Sequence, residues 1–258
     1  MDKAIRNPQG EQLDYAYHEG LGASSQAIVV IGHGVTANKD REFVVALAAG
    51  LAAAGISALR FSFSGNGDSE GRFEDSCPSK EVQDLKAVID ALEGRKVIYV
   101  GHSMGGAVGV MSAAHEPRIE GLVSLAGMVN TSKFAEVEFG DVIPGAGTMW
   151  DKPECPLSQA FVDDMNNISS VIEFAAHVKV PWLLVHGEAD DVVPIAESRE
   201  IFERANEPKE LFEIPRCDHV FDAEADPDAL PAMVSKVSEC WRNMSATCGY
   251  RACSTLLA

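Results

Sequence analysis

The chain has 258 residues, 46% of them hydrophobic and 23% charged, a composition ordinary for a single globular domain. A formal net charge of −18 argues against nucleic acid and anionic membrane as partners, because both would be repelled, and disfavours strongly anionic ligands. The longest apolar stretch, residues 43–54, is interrupted by Gly50 and is too short to span a bilayer, which suits a helix packed on a sheet.

In chain order, Met1 to Pro8 has no apolar core, so no signal peptide is expected and the protein reads as cytoplasmic. Gln12 to His18 reads as an early strand and Ile28 to Gly32 as a central one. A helix is predicted around Asp40 to Ala54, then a strand at Ser57 to Phe63. Gly65-Asn-Gly67-Asp-Ser-Glu-Gly71 is glycine-rich, but its spacing is not that of a dinucleotide loop and no helix opens directly from it. A crossing loop is expected there. Pro78 opens a helix to about Leu92, a strand and helix run from Lys96 to about Ala114, and a strand spans Glu120 to Ala126. A strand from Pro181 to Gly187, a helix opened by Pro194, and a strand from Lys209 to Ile214 follow. The last helix is predicted from about Asp228 to Asn243, with a frayed tail from Ser245 to Ala258. This alternation marks a mostly parallel sheet covered on both faces, in a single domain over residues 1–258.

Six cysteines, at 77, 155, 217, 240, 248 and 253, include no C-x-x-C pair and read as free thiols. No pair of histidines has metal-ligand spacing.

Chemistry concentrates in Lys96-Val-Ile-Tyr-Val-Gly101-His102-Ser103-Met104-Gly105-Gly106. A buried strand turning at once into a helix forces the turning residue into a strained conformation, and flanking glycines remove the Cβ atoms that would clash. Ser103 is thereby held out at the carboxyl end of a sheet, beside the positive end of a helix, where an acyl-transfer nucleophile belongs. The N–H of Met104, at the helix start, is positioned to hold an oxyanion. Further along, the strand ending at Gly187 is followed by Glu188-Ala-Asp190-Asp191, and the strand ending at Ile214 by the loop carrying Asp218 and His219. All lie on the same rim as Ser103. A serine, then an acid, then a histidine is the chain order of α/β-hydrolases.

The chain resembles the α/β-hydrolase serine esterases over nearly all of residues 10–243. The likeness rests on Gly32-His33-Gly34-Val35-Thr36-Ala37-Asn38, on Gly65 to Gly71, on the Ser103 turn, and on His186-Gly-x-x-Asp190-x-x-Val193-Pro194. Within the superfamily it is most similar to the bacterial cinnamoyl and feruloyl esterase group. The resemblance implies the α/β-hydrolase fold, Asp190 as the acid that orients His219, and the N–H of Val35 as the second oxyanion donor. Asp191 reads as a solvated or capping carboxylate, and Asp218 as local structure. His33 is expected to tie its loop down, His102 to pack under the nucleophile, and His186 to brace the acid loop.

Residues 128–178 break the alternation and follow a strand's carboxyl end, so they are expected to form a lid over Ser103. Met149, Trp150 and Phe161 are its candidate substrate-binding residues, and Glu138 and Asp141 candidate polar contacts.

The function expected is a serine carboxylesterase acting on short acyl or aryl esters, hydroxycinnamoyl esters among them, through an acyl-enzyme on Ser103. No metal or organic cofactor is expected, and the partner is a small-molecule ester. An acylaminoacyl or prolyl-type peptidase, a monoacylglycerol lipase, a thioesterase, and a catalytically silent binding module are the alternatives. The sequence leaves the oligomeric state open.

Overall fold

The computed structural model describes residues 3–21, 27–222 and 226–247. The expectation of a frayed tail falls largely on residues 248–258, which lie outside the described residues. In chain order the elements are β1 (Ile5–Arg6), β2 (Gln12–Leu13), β3 (Tyr15–His18), β4 (Ala27–Gly32), α1 (Glu42–Ala53), β5 (Ala58–Phe61), α2 (Pro78–Ala91), β6 (Lys96–His102), α3 (Met104–Ala113) and β7 (Ile119–Leu125). Then come α4 (Thr131–Phe139), α5 (Gln159–Ile168), α6 (Ile172–Ala175), β8 (Trp182–Gly187), α7 (Ile195–Arg204), β9 (Lys209–Ile214) and α8 (Ala229–Thr247).

Seven strands form one sheet in the order β3-β5-β4-β6-β7-β8-β9. The edge strand β3 is antiparallel to β5, and every other pairing is parallel. A parallel sheet must be covered on both faces, and the alternation along β4 shows how. Ile28 and Val30 pack with α2 and α3 residues such as Leu85 and Val108, while Val29 and Ile31 pack with Leu47 and Leu51 of α1 and Met233 of α8. The result is a three-layer α/β-hydrolase sandwich with all parallel strands ending on one rim.

One predicted element is divided. The strand expected over Gln12 to His18 breaks at Asp14, where β2 leaves its short antiparallel pair with β1 and β3 joins the main sheet. Asp14 sits at that switch with its N–H on Ser69 Oγ and its carbonyl accepting from the Ser62 N–H, so the bonds of this residue run to loops instead of a ladder.

The segment between β7 and β8 folds into three helices that sequence periodicity did not reveal. Phe134, Phe139, Met149, Leu157, Phe161 and Met165 share a small core of their own, and Met104 belongs to it. The segment between β7 and β8 and the start of α3 are thus one packed unit.

Candidate active site

Ser103 joins β6 to α3 with φ 53° and ψ −119°, a conformation non-glycine residues rarely adopt. The strain is held by neighbours. A Cβ on Gly101 would lie 2.1 Å from the Gly105 carbonyl oxygen, and one on Gly105 would lie 2.5 Å from the His33 carbonyl oxygen. The Ser103 N–H donates to Leu125 O at 3.0 Å, and Ser103 O accepts from the N–H groups of Gly106 (2.8 Å) and Met128 (3.0 Å). Ser103 is therefore clamped at both ends of its own peptide units.

Asp190 and His219 arrive from the loops after β8 and β9. His219 Nδ1 donates to Asp190 Oδ2 at 2.8 Å. Asp190 Oδ1 accepts from the N–H groups of Val192 and Val193, each at 2.9 Å, and its side chain has no solvent exposure. Burial raises the Asp190 pKa. Hydrogen bonds from His186 and His219, the charge of His219, and the Val193 amide outweigh that and hold the carboxyl well below the usual carboxylate range. Asp191 is exposed, and Asp218 Oδ1 accepts from the N–H groups of Val220 and Asp222, which makes it a turn-former.

Three further histidines support this arrangement. His186 Nε2 lies 2.9 Å from Val193 O and 3.1 Å from Asp190 Oδ2, while its Nδ1 lies 2.7 Å from Ser198 Oγ. Both Nε2 neighbours accept, so the proton sits on Nε2 and the Ser198 hydroxyl donates to Nδ1. His102 Nε2 donates to the carbonyl of His219 at 2.8 Å, and the two rings lie 4.7 Å apart. Burial pushes the His102 pKa well below its ordinary value, with repulsion from His219 adding to it. His102 thus holds the backbone of His219 as a neutral ring. That role was invisible in the sequence, where the two residues are 117 positions apart.

The Val35 amide is aimed by His33. The Phe63 N–H donates to His33 Nε2 at 3.0 Å, which leaves the ring proton on Nδ1, and Nδ1 donates to Gly34 O at 2.9 Å. Fixing the Gly34 carbonyl fixes the peptide plane that carries the Val35 N–H. Burial lowers the His33 pKa to about 4, so the ring is neutral at neutral pH. Gly34 itself lies against Ser103, where a Cβ would be 2.7 Å from Ser103 Cβ and 3.2 Å from Ser103 Oγ. Among the described residues, the N–H groups of Val35 and Met104 donate no hydrogen bond.

Val35 and Met104 border a narrow cavity of about 10 Å3, room for a single water, which Met149 and Phe161 also line. Trp150 is not on that wall. Its ring packs against Phe139 at 4.9 Å and Phe134 at 6.3 Å, its indole N–H donates to Glu138 at 2.7 Å, and 37% of the residue is exposed. Glu138 is thus engaged with Trp150.

A protein-family profile described as serine aminopeptidase, S33, matches residues 23–144 and 155–226, three quarters of the chain. The chain belongs to this hydrolase family. Among characterised relatives, the hydrolase is 30% identical to the mitochondrial palmitoyl-protein thioesterase ABHD10 of Pongo abelii, over 73% of this chain and 64% of that protein. It is 28% identical to the uncharacterised protein Rv2307c of Mycobacterium tuberculosis, over 90% of this chain and 75% of the relative. Its fold is similar to that of Est1E from Butyrivibrio proteoclasticus, solved with ferulic acid bound, at a TM-score of 0.82 and 24% identity over 95% and 99% of the two chains. Mouse ABHD10 superposes with a TM-score of 0.76 at 17% identity over 94% and 99%. The family and fold establish an α/β-hydrolase. Among the described residues no helix is long and apolar enough to cross a membrane.

Proposed function

We propose that the hydrolase is a serine carboxylesterase acting on short acyl or aryl esters through an acyl-enzyme on Ser103. The observation that carries the reading is the hydrogen-bonded Asp190–His219 pair, held by His102 beside a serine in a strained strand-to-helix turn. In this mechanism Ser103 Oγ attacks the ester carbonyl while His219 Nε2 takes its proton. Asp190 keeps the other ring proton on Nδ1 and stabilises the imidazolium. The Val35 and Met104 amides receive the negative oxygen of the tetrahedral intermediate. His219 then protonates the leaving alkoxide, and water repeats the sequence on the acyl-enzyme, releasing the acid and restoring the Ser103 hydroxyl.

The cavity beside Val35 and Met104 is narrow, about 10 Å3, which favours small acyl groups over long ones. A thioester reading draws support from the thioesterase relative, and shares every step up to the identity of the leaving group. The test is labelling of Ser103 by a fluorophosphonate, followed by rates on nitrophenyl esters of rising chain length, methyl ferulate, an acyl thioester and an aminoacyl arylamide. Turnover of the short esters well above the other two classes is the expected result. A dominant thioester or arylamide rate overturns the carboxylester assignment, and absence of labelling overturns the nucleophile.

A further inference from the structure

The Met104 N–H shares a planar peptide unit with the Ser103 carbonyl, so whatever fixes that carbonyl fixes the direction of the N–H. Ser103 O accepts from the Gly106 N–H, in the first turn of α3 itself, and from the Met128 N–H at 3.0 Å. Met128 is therefore the partner that reaches it from outside the helix. Its segment follows β7, which ends at Leu125. The Ala126 N–H still donates to Val185 O at 2.8 Å, but Ala126 turns at φ 46° and the chain leaves the sheet. It passes close over the start of α3, where a Cβ on Gly106 would lie 2.8 Å from Gly127 Cα. The amides that come next must be satisfied outside the ladder.

Glu197 satisfies two of them. It sits in the first turn of α7, is 8% exposed, and its Oε2 accepts from the Val129 N–H at 2.7 Å and the Asn130 N–H at 3.0 Å. The mechanism above does not use this residue. Its own backbone is fixed, since the Glu197 N–H donates to Pro194 O at 2.9 Å and the neighbouring Ser198 is bonded to His186. One turn of α7 thus grips the segment behind Ser103 through Glu197 and the Asp190 loop through Ser198. A second tie to α7 is peripheral: Asn130 Nδ2 donates to Glu200 Oε2 at 3.2 Å, and Glu200 is exposed.

We propose that Glu197 is a positioning residue of the oxyanion hole: by holding the Val129 and Asn130 amides it stations Met128 against the Ser103 carbonyl and so aims the Met104 N–H. This rests on the Met104 amide being an oxyanion donor of the proposed mechanism. His33 does the same for Val35 through the Gly34 carbonyl, so each donor has a buried side chain behind it. Loss of one such donor costs about 10²–10³ in kcat, and a donor tilted but not lost is expected to cost about tenfold. Acylation and deacylation both place a negative oxygen in the same hole, so both steps slow together and KM is little changed.

The test counts active sites first, by the end point of fluorophosphonate labelling, so that unfolded protein does not enter the rates. Per labelled site, Glu197→Ala is expected to lower kcat on nitrophenyl butyrate by about tenfold or more with KM within about twofold. It should weaken the trifluoromethyl ketone of the same chain, which forms an oxyanion on Ser103, by a similar factor. Glu197→Gln, whose amide oxygen can accept from the same two N–H groups, is expected to stay within about threefold of wild type, and Glu200→Ala to match it. A kcat per labelled site within about twofold of wild type in Glu197→Ala, whatever the change in Tm, overturns the proposal, as does a loss confined to KM. If Glu197→Ala does not fold, Glu197→Asp, whose carboxyl stops one methylene short, is expected to lose at least about threefold in both readouts, and wild-type values in it overturn the proposal. A wild type that turns over thioesters in place of esters removes the carboxylester reading, and the same ratios on that substrate uphold Glu197. A wild type that is not labelled removes the nucleophile and the role of Glu197 with it.

Discussion

Ser103→Ala removes only the side-chain hydroxyl, and the backbone hydrogen bonds of Ser103 to Leu125, Gly106 and Met128 do not involve it, so the fold is expected to persist. Turnover should fall by about 10⁴–10⁶ in kcat, measured on nitrophenyl butyrate with unchanged circular dichroism. Retention of more than a few per cent of the rate in a clean preparation rejects the nucleophile. Asp190→Asn should lose at least about a hundredfold more activity than Asp191→Asn, because an amide at 190 cannot hold the same tautomer of His219. Parity of the two variants, or the reverse ranking, would show that the neighbouring acid does this work. At this scale the sequence was informative wherever a residue acts through its own local turn. Ser103 follows β6 directly, and Asp190 and His219 lie in the short loops after β8 and β9. It was silent where a residue acts on another far along the chain. His102 reaches the His219 carbonyl and His33 the Phe63 amide, and no local pattern encodes either bond.

Among the elements, the segment between β7 and β8 departs most from expectation. Its position after β7 follows from the interrupted alternation, but its helices are short, α6 having four residues, and too brief for periodicity to register. Trp150 looked like a pocket residue by type, yet the backbone turns it outward at φ 47° onto Phe139. Trp150→Ala is therefore expected to leave the acyl chain-length profile of the enzyme unchanged. Met149→Ala, on the pocket wall, should shift the optimum toward longer chains, with each added methylene worth on the order of 1 kcal/mol in transition-state binding. Profiles of kcat/KM from acetate to decanoate decide the matter, and a shift caused by Trp150→Ala alone would refute this account of the wall. Helix α2 shows a legible signal that went unused. Glu81 falls in register with Leu85 and Val88, on the stripe that faces the core, and an acid extending an apolar stripe is a buried acid.

For the molecule as a whole, buried titrating groups pull stability in opposite directions with pH. His33 has its pKa lowered from 6.5 to about 4 in the fold, so its contribution is complete above 6.5 and is lost as pH falls toward 4, about 3 kcal/mol in all. Glu81 has the opposite sign. Its pKa is raised, so the unfolded chain releases the proton first, and stability is lost as pH climbs above the ordinary value of 4.5. Glu81→Gln is nearly isosteric and cannot ionise. It should be more stable than wild type at pH 7 by a margin that shrinks toward pH 4, as measured by urea unfolding. A margin independent of pH would mean that Glu81 is ionised in the fold.

The parallel order of the sheet has a kinetic corollary. Val29 pairs with Ile98, Leu122 with Trp182 and Leu183 with Glu210, so neighbours in space are separated by tens of residues of intervening chain. Such topologies assemble slowly, since distant segments must close large loops before their contacts reward it. Ser103 lies at the end of β6, Asp190 after β8 and His219 after β9, so the three side chains meet only once all three strands are in the sheet. On dilution from denaturant, helical signal should therefore return well before esterase activity, and fragments ending before β9 should gain helix without ever gaining turnover. Coincident recovery of the two signals would instead describe a chain that assembles in one concerted step.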